Sequence, residues 1–154
     1  KQGPRNDLFA ATPSAVGNKI LTVVAVVEDD DMSSGDYDVG FFHAPTDEDV
    51  FVEPPPEAGE PQNVVCLCKK AMYGLRKSPQ WFQDWQVKLL VQERGFTQSA
   101  ADPMILIGPG PKEKRLKMSI HVDDPWVRAG GSIKVVGVAP PLSFSAKSFL
   151  FSFL

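Results

Sequence analysis

The chain has 154 residues but only two cysteines and two histidines, and it has no long apolar run. Each shortage excludes something. A structural zinc site takes four ligands. Cys66 and Cys68, in "VVCLCKK", supply two, and His43 and His121 stand far from them in sequence. On a strand the two cysteines would share a face, so the expectation is a pair of buried free thiols in a reducing compartment. The longest apolar stretches, Ile20 to Val27 and Phe149 to Leu154, are far shorter than the roughly 20 residues of a membrane span. No secretory signal opens the sequence, which gives the expectation of an intracellular protein without a membrane partner. Positive charge is also scarce, with a formal net charge of −3. A protein that grips phosphates is usually basic overall or basic on one face. Here the basic residues form two short clusters, Lys69, Lys70, Arg76 and Lys77, then Lys112, Lys114, Arg115 and Lys117. On pattern alone each reads as a solvated face.

What is present divides into recognisable pieces. Residues 1–18 are polar with interspersed Pro and Gly, as in an arm or loop. Ile20 to Val27 is apolar throughout, so its periodicity does not separate a buried strand from a buried helix. The acidic stretch "EDDDMSSGDYD", Glu28 to Asp38, reads as a solvated loop; it lacks the spacing and closing Glu of a calcium loop. Val50 to Val52 is a short strand ended by Pro54, Pro55 and Pro56, which lack ladder donors. Val64 to Cys68 is a second strand. A helix follows, with Ser78 as cap, Pro79 in its first turn, a stripe through Trp81, Trp85 and Leu89, and Gly95 as stop.

Leu116, Met118, Ile120 and Val122 alternate with polar residues, the period of a half-buried strand. Asp123 and Asp124 would then form a turn, and "WVRAGG" would return as the partner strand of a hairpin. Taken alone, "SIHVDD" is an acidic turn. After Gly131 the composition changes: residues 132–154 carry almost no acids, repeat Ser and Phe, and read as a segment unrelated to what precedes them.

Three separated blocks change the reading of the acidic turn. "FFHAPTDEDVFVEPP" (Phe41 to Pro55), "LCKKAMYGLRKSPQWFQDW" (Leu67 to Trp85) and "SIHVDDPWVRAG" (Ser119 to Gly130) follow one another with "GFTQSAADP" between the last two. In order and spacing they resemble the reverse transcriptases of copia-type retrotransposons. The resemblance implies an α+β fold for about residues 19–131: a partial polymerase palm, with a small antiparallel sheet backed by helices, incomplete fingers and no thumb. It also implies missing polyprotein regions. The implied activity is RNA-directed DNA synthesis on a template-primer of RNA or DNA, consuming deoxynucleotides. Such a site uses two Mg2+ ions about 3.5–4 Å apart, held by carboxylates because magnesium prefers oxygen ligands.

Carried over by position, Asp123 and Asp124 match the family's paired hairpin acids. The third acid has two candidates. Matching the letters "DV" gives Asp38, which is slightly favoured; counting back from Phe41 without a gap gives Asp36. Lys69, Lys70, Tyr73, Gly74, Arg76 and Lys77 match the block that faces nucleic acid. His121 stands where the family has a Tyr beside the primer end. Pro125 and Arg128 also depart from the pattern, and Pro125 is expected to weaken the return strand by removing a donor. These departures support the alternative of a catalytically inactive remnant with at most weak nucleic-acid binding. Outside that class, the acidic runs allow a small metal-binding or interaction module.

Overall fold

The structure is a computed structural model that describes residues 10–61, 63–110 and 115–130. The first part of the expected arm, Lys112 and Lys114 of the second basic cluster, and the segment 132–154 lie outside the described residues. The fold is α+β, as the resemblance implied. In chain order the elements are α1 (Ala15–Val27), β1 (Asp30–Ser34), β2 (Pro45–Val52), β3 (Cys66–Lys70), α2 (Ser78–Lys88), β4 (Thr97–Gln98), β5 (Ile105–Pro109), β6 (Arg115–His121) and β7 (Asp124–Gly130). The strands form an antiparallel five-stranded sheet, ordered β1-β7-β6-β5-β4, and a separate β2–β3 ribbon. No described helix is long and apolar enough to cross a membrane.

Two hydrophobic cores meet along α2. Trp81 and Phe82 pack with Tyr37, Ala44, Val50, Cys68 and Ala71 over the ribbon. Leu90, in the wider π-helical turn that continues α2 over Leu89–Glu93, packs with Phe96, Leu106, Met118 and Ile120 over the sheet. Trp85 and Leu89 flank the first core, as their stripe predicts. A second stripe, Gln83, Gln86 and Leu90, also lies buried. Ser78 is the first residue of α2 rather than its cap, and its hydroxyl closes the preceding turn by donating to the Met72 carbonyl at 2.6 Å. Cys68 is buried as expected, whereas Cys66, at the frayed start of β3, is exposed.

The apolar run from Ile20 is helical, and the helix starts within the expected arm. Ser14 caps it, its Oγ accepting from the Gly17 amide at 2.9 Å. The segment before it is tied down rather than loose. The Gln83 amide exchanges two hydrogen bonds with the Ala11 backbone, and Asp102 accepts from the Ser14 amide at 2.8 Å. Gly17 sets the closeness of this contact: a Cβ there would lie 2.7 Å from Ile105 Cδ1.

The acidic stretch expected as a loop contains β1, paired over its whole length with β7. Arg128, at the centre of β7, holds this region together. It is almost fully buried. Its guanidinium donates to Glu28 at 2.8 Å and to the Leu21 carbonyl at 2.9 Å, and pairs with Asp30 at 3.0 Å; Lys117 adds a second contact to Glu28. The charge that departs from the family pattern is thus matched by two acids. Breaking a buried pair costs more than the pair itself contributes, because the remaining charge is stranded. Arg128→Ala is therefore expected to destabilise the chain by about 3 kcal/mol or more, read as a lower urea midpoint. Combining Arg128→Met with Asp30→Leu should recover most of the loss. A cost below about 0.5 kcal/mol, the range of ordinary surface substitutions, would show that the cluster does not hold α1 in place.

Candidate active site

Two residues, Val122 and Asp123, join β6 to β7, and His121 and Asp124 close the hairpin opposite each other. Asp124 is thus the first residue of a strand, not part of the turn. The closing pair of a two-residue hairpin shares backbone hydrogen bonds, so the next pair, Ile120 and Pro125, shares none. The Ile120 amide instead donates to the Met104 carbonyl at 3.0 Å, and the Pro125 carbonyl accepts from Gly35 at 3.0 Å on the other side. Pro125 therefore removes nothing from the hairpin, contrary to the sequence-based expectation. Its absent N–H would face the chain just past the end of β1.

Val122 sits at φ 52°, in the left-handed region that a β-branched residue rarely adopts. Its side chain is partly buried and packs against the first core. Such strain, on the order of 1–3 kcal/mol, persists only where surrounding structure over-determines it. Here the anchored valine fixes the tip that carries Asp123.

The β1–β7 register decides which upstream acid approaches this tip. Ser34 pairs with Trp126 and Gly35 bonds to Pro125, so the chain leaves β1 toward Asp124, and Asp36 is among the charges that act on it. Asp38 lies beyond buried Tyr37, in the turn where Val39 also has a positive φ, and its carbonyl contacts His43 Nε2 at 3.3 Å. The Asp124 carboxyl is pushed above its ordinary pKa, first by desolvation, then by the negative charges of Asp123 and Asp36; His121 opposes the shift. Asp123 and Asp36 thus both act on Asp124.

Among the described residues no three His, Cys, Asp or Glu side chains already converge as a metal-holding group. The donor set still fits a hard divalent cation in its chemistry. Carboxylate oxygens suit such an ion, and a cation would offset the charges of Asp123 and Asp36 on Asp124.

Residues 7–147 match the family described as "Reverse transcriptase (RNA-dependent DNA polymerase)". The chain belongs to this family. The match starts within the expected arm and continues past Gly131. The chain is also similar to the "Retrovirus-related Pol polyprotein from transposon TNT 1-94" of Nicotiana tabacum, with 20% identity over 122 residues, covering 77% of this chain. It spans 9% of that relative's length. No solved structure matches.

In this reverse transcriptase-family chain, the basic block has two parts with different surroundings. Lys69, Lys70 and Arg76 are exposed, and Lys70 Nζ also donates to the His43 carbonyl at 3.0 Å. Tyr73 is half exposed and packs against Phe41 at 4.7 Å and Phe42 at 5.9 Å between ring centroids. Those two phenylalanines lie near the site block only in space, so no local spacing marks them. Gly74, at φ 92°, takes a backbone conformation that favours glycine. Lys77 is different. It is buried, donates to both Asp47 oxygens at 2.8 and 2.9 Å, and lies over the Trp81 ring. Asp47 also accepts from Trp81 Nε1 at 2.6 Å. Lys77, grouped by sequence with the residues expected to face nucleic acid, here helps fasten β2 to α2 through Asp47.

The raised Asp124 gives a testable pH dependence. A carboxylate whose folded pKa exceeds its unfolded value binds protons more readily in the native state, so it costs stability once ionised. Asp124→Asn is expected to raise the melting temperature modestly at neutral pH. The gain should shrink as the pH falls through the folded and then the unfolded pKa. A thermal melt series showing a constant or growing gain at acid pH would contradict the stated charge balance.

Proposed function

We propose that this chain is part of the palm and fingers of an RNA-directed DNA polymerase, with Asp36, Asp123 and Asp124 as its catalytic acids. The observation that supports this most is the pairing that leads the chain from β1 toward Asp124, where Asp36 adds its charge to that of Asp123. It also favours Asp36 over Asp38 as the third acid. In this reading the five-stranded sheet belongs to the palm and the β2–β3 ribbon to the fingers.

The three carboxylates would hold Mg2+, which supplies charge stabilisation for in-line phosphoryl transfer between a primer end and a deoxynucleotide. The chain's own contribution is positional. Val122, partly buried against the first core, fixes the turn, so Asp123 is presented at one place. Desolvation and crowding of the acids favour occupancy by a cation. Lys69, Lys70 and Arg76 would contact backbone phosphates without reading sequence. Tyr73, above Phe41 and Phe42, would offer a ring face to a base or sugar, with Gly74 letting the backbone approach.

Primer extension on an RNA template, with Mg2+, tests the assignment. Asp123→Asn and Asp36→Asn are each expected to reduce extension to background, while Asp38→Asn stays within a few-fold of the unaltered chain. Loss on Asp38→Asn with retention on Asp36→Asn would reverse the choice. RNA binding without any extension would favour the inactive remnant. Binding itself should depend on salt, and replacing Lys69, Lys70 and Arg76 together by Ala should reduce the log–log salt slope by about one for each phosphate no longer neutralised. An unchanged slope would remove these residues from the interface.

A further inference from the structure

Only one side of α1 is used by the fold. Gly17 and Ala25 are buried and Leu21 is half-buried, which sets the side of the helix that meets the sheet. One polar flank, through Asn18 and Thr22, borders Met32, Ser119 and Trp126. The other flank is apolar. Its residues Val16, Ile20, Val23 and Val27 are between 57% and 78% exposed, and none belongs to either hydrophobic core. They follow one another at intervals of four, three and four residues. This is the spacing of the a and d positions of a heptad repeat, which line a single seam along a helix. The charges around α1 are also one-sided. Its first turn has no acid and its last turn no base. Glu28, Asp29 and Asp31 follow its C-terminal end; Glu28 is engaged by Arg128 and Lys117, whereas Asp29 and Asp31 are exposed.

We propose that this seam joins two copies of the chain, with α1 packed antiparallel against α1 of the second copy. The spacing selects a helix as the occupant. Rows of side chains three and four residues apart interdigitate with the matching rows of another helix at a shallow crossing angle, whereas an extended strand repeats every second residue. The charges select an inverted copy of the same helix. The C-terminal end of a helix dipole is negative, so Asp29 and Asp31 stand at the unfavourable end of their own α1. In an antiparallel pair each acidic end meets the N-terminus of the other helix, whose unpaired amides and positive dipole attract carboxylates. A parallel pair would bring the two acidic ends together. A two-fold axis between Ile20 and Val23 lets one patch serve both copies, as a closed dimer requires. Ile20 then lies opposite Val23 of the second copy, and Val16 opposite Val27. Four side chains on one short helix make a small interface, so the dimer is reversible and dependent on concentration. The proposal does not depend on the polymerase reading.

Sedimentation velocity of the full chain tests this, in a Cys66→Ser background that removes the exposed thiol. From low micromolar to submillimolar concentration the chain is expected to pass from monomer to dimer. Val23→Lys places a charge in the middle of the seam and should weaken dimerisation about tenfold or more. Because Val23 is exposed and outside both cores, the fold is retained, and an unchanged far-ultraviolet circular dichroism spectrum checks this. Orientation is read by oxidising a mixture of Ile20→Cys and Val23→Cys chains. The antiparallel pair predicts that the disulfide between the two different chains outweighs either self-linked product. Dominant self-linking of each chain would show a parallel pair and overturn the proposed packing. A monomer at every concentration would overturn the proposal, as would dimerisation that Val23→Lys leaves unchanged, since the contact would then lie elsewhere on the chain.

Discussion

A two-residue turn leaves its strands almost no freedom of register. Once His121 and Asp124 close the hairpin, the direction of every backbone donor and acceptor in β7 follows by alternation. Pro125 then turns away from β6 and meets the chain where β1 is ending. Arg128 falls level with Met32 and Lys117, where Glu28 and Asp30 reach it. Past Ser34 the chain runs by Gly35 toward Asp124, where the Asp36 charge is felt. A slip of one residue would put Pro125 at a position that must donate within the hairpin, and would turn Arg128 to the opposite face. Accommodation of the proline, neutralisation of the buried arginine and gathering of the acids therefore share one geometric cause.

The hairpin tip also couples the two cores. Val122 projects into the core over the ribbon, while Ile120, two residues earlier, belongs to the core over the sheet. α2 bridges the same pair from the other side. The strained backbone at Val122 is thus held from both ends, by sheet pairing below and aromatic packing above. This explains how a β-branched residue can occupy a left-handed conformation in the turn that carries Asp123.

Much of the site was legible in the sequence, because it depends on short-range signals. Alternation over Leu116 to Val122 marked β6, and the ordered blocks gave Asp123 and Asp124 their family meaning. Where reading by sequence went astray, the cause was long-range. β1 was hidden because "DDMSS" is polar, as suits an edge strand, and only its partner β7 defines it. α1 was ambiguous because a wholly apolar run shows no period. The second buried face of α2 uses Gln83 and Gln86, whose burial depends on partners such as the Ala11 backbone, distant in sequence. The same distance separates Lys77 from Asp47, so no local pattern distinguishes that lysine from its exposed neighbours.

The contacts that secure the N-terminal part of the fold span unusual lengths of chain. Ala11 is held by a residue 72 positions away, Ser14 by one 88 away, and Leu21 by Arg128, 107 away. Each closes a long loop, and the entropy of closing it is spent before the contact forms. During synthesis α1 therefore emerges first and is fastened last. Until β7 has been made and has paired with β1, the helix has neither its ionic anchor nor its backbone strap. Val16, Ile20, Val23 and Val27, exposed even in the finished fold, add to a sticky surface on the nascent chain. α1 is thus vulnerable from its own synthesis until Arg128 has been made, an interval in which its apolar residues are open to any partner that recognises short apolar segments.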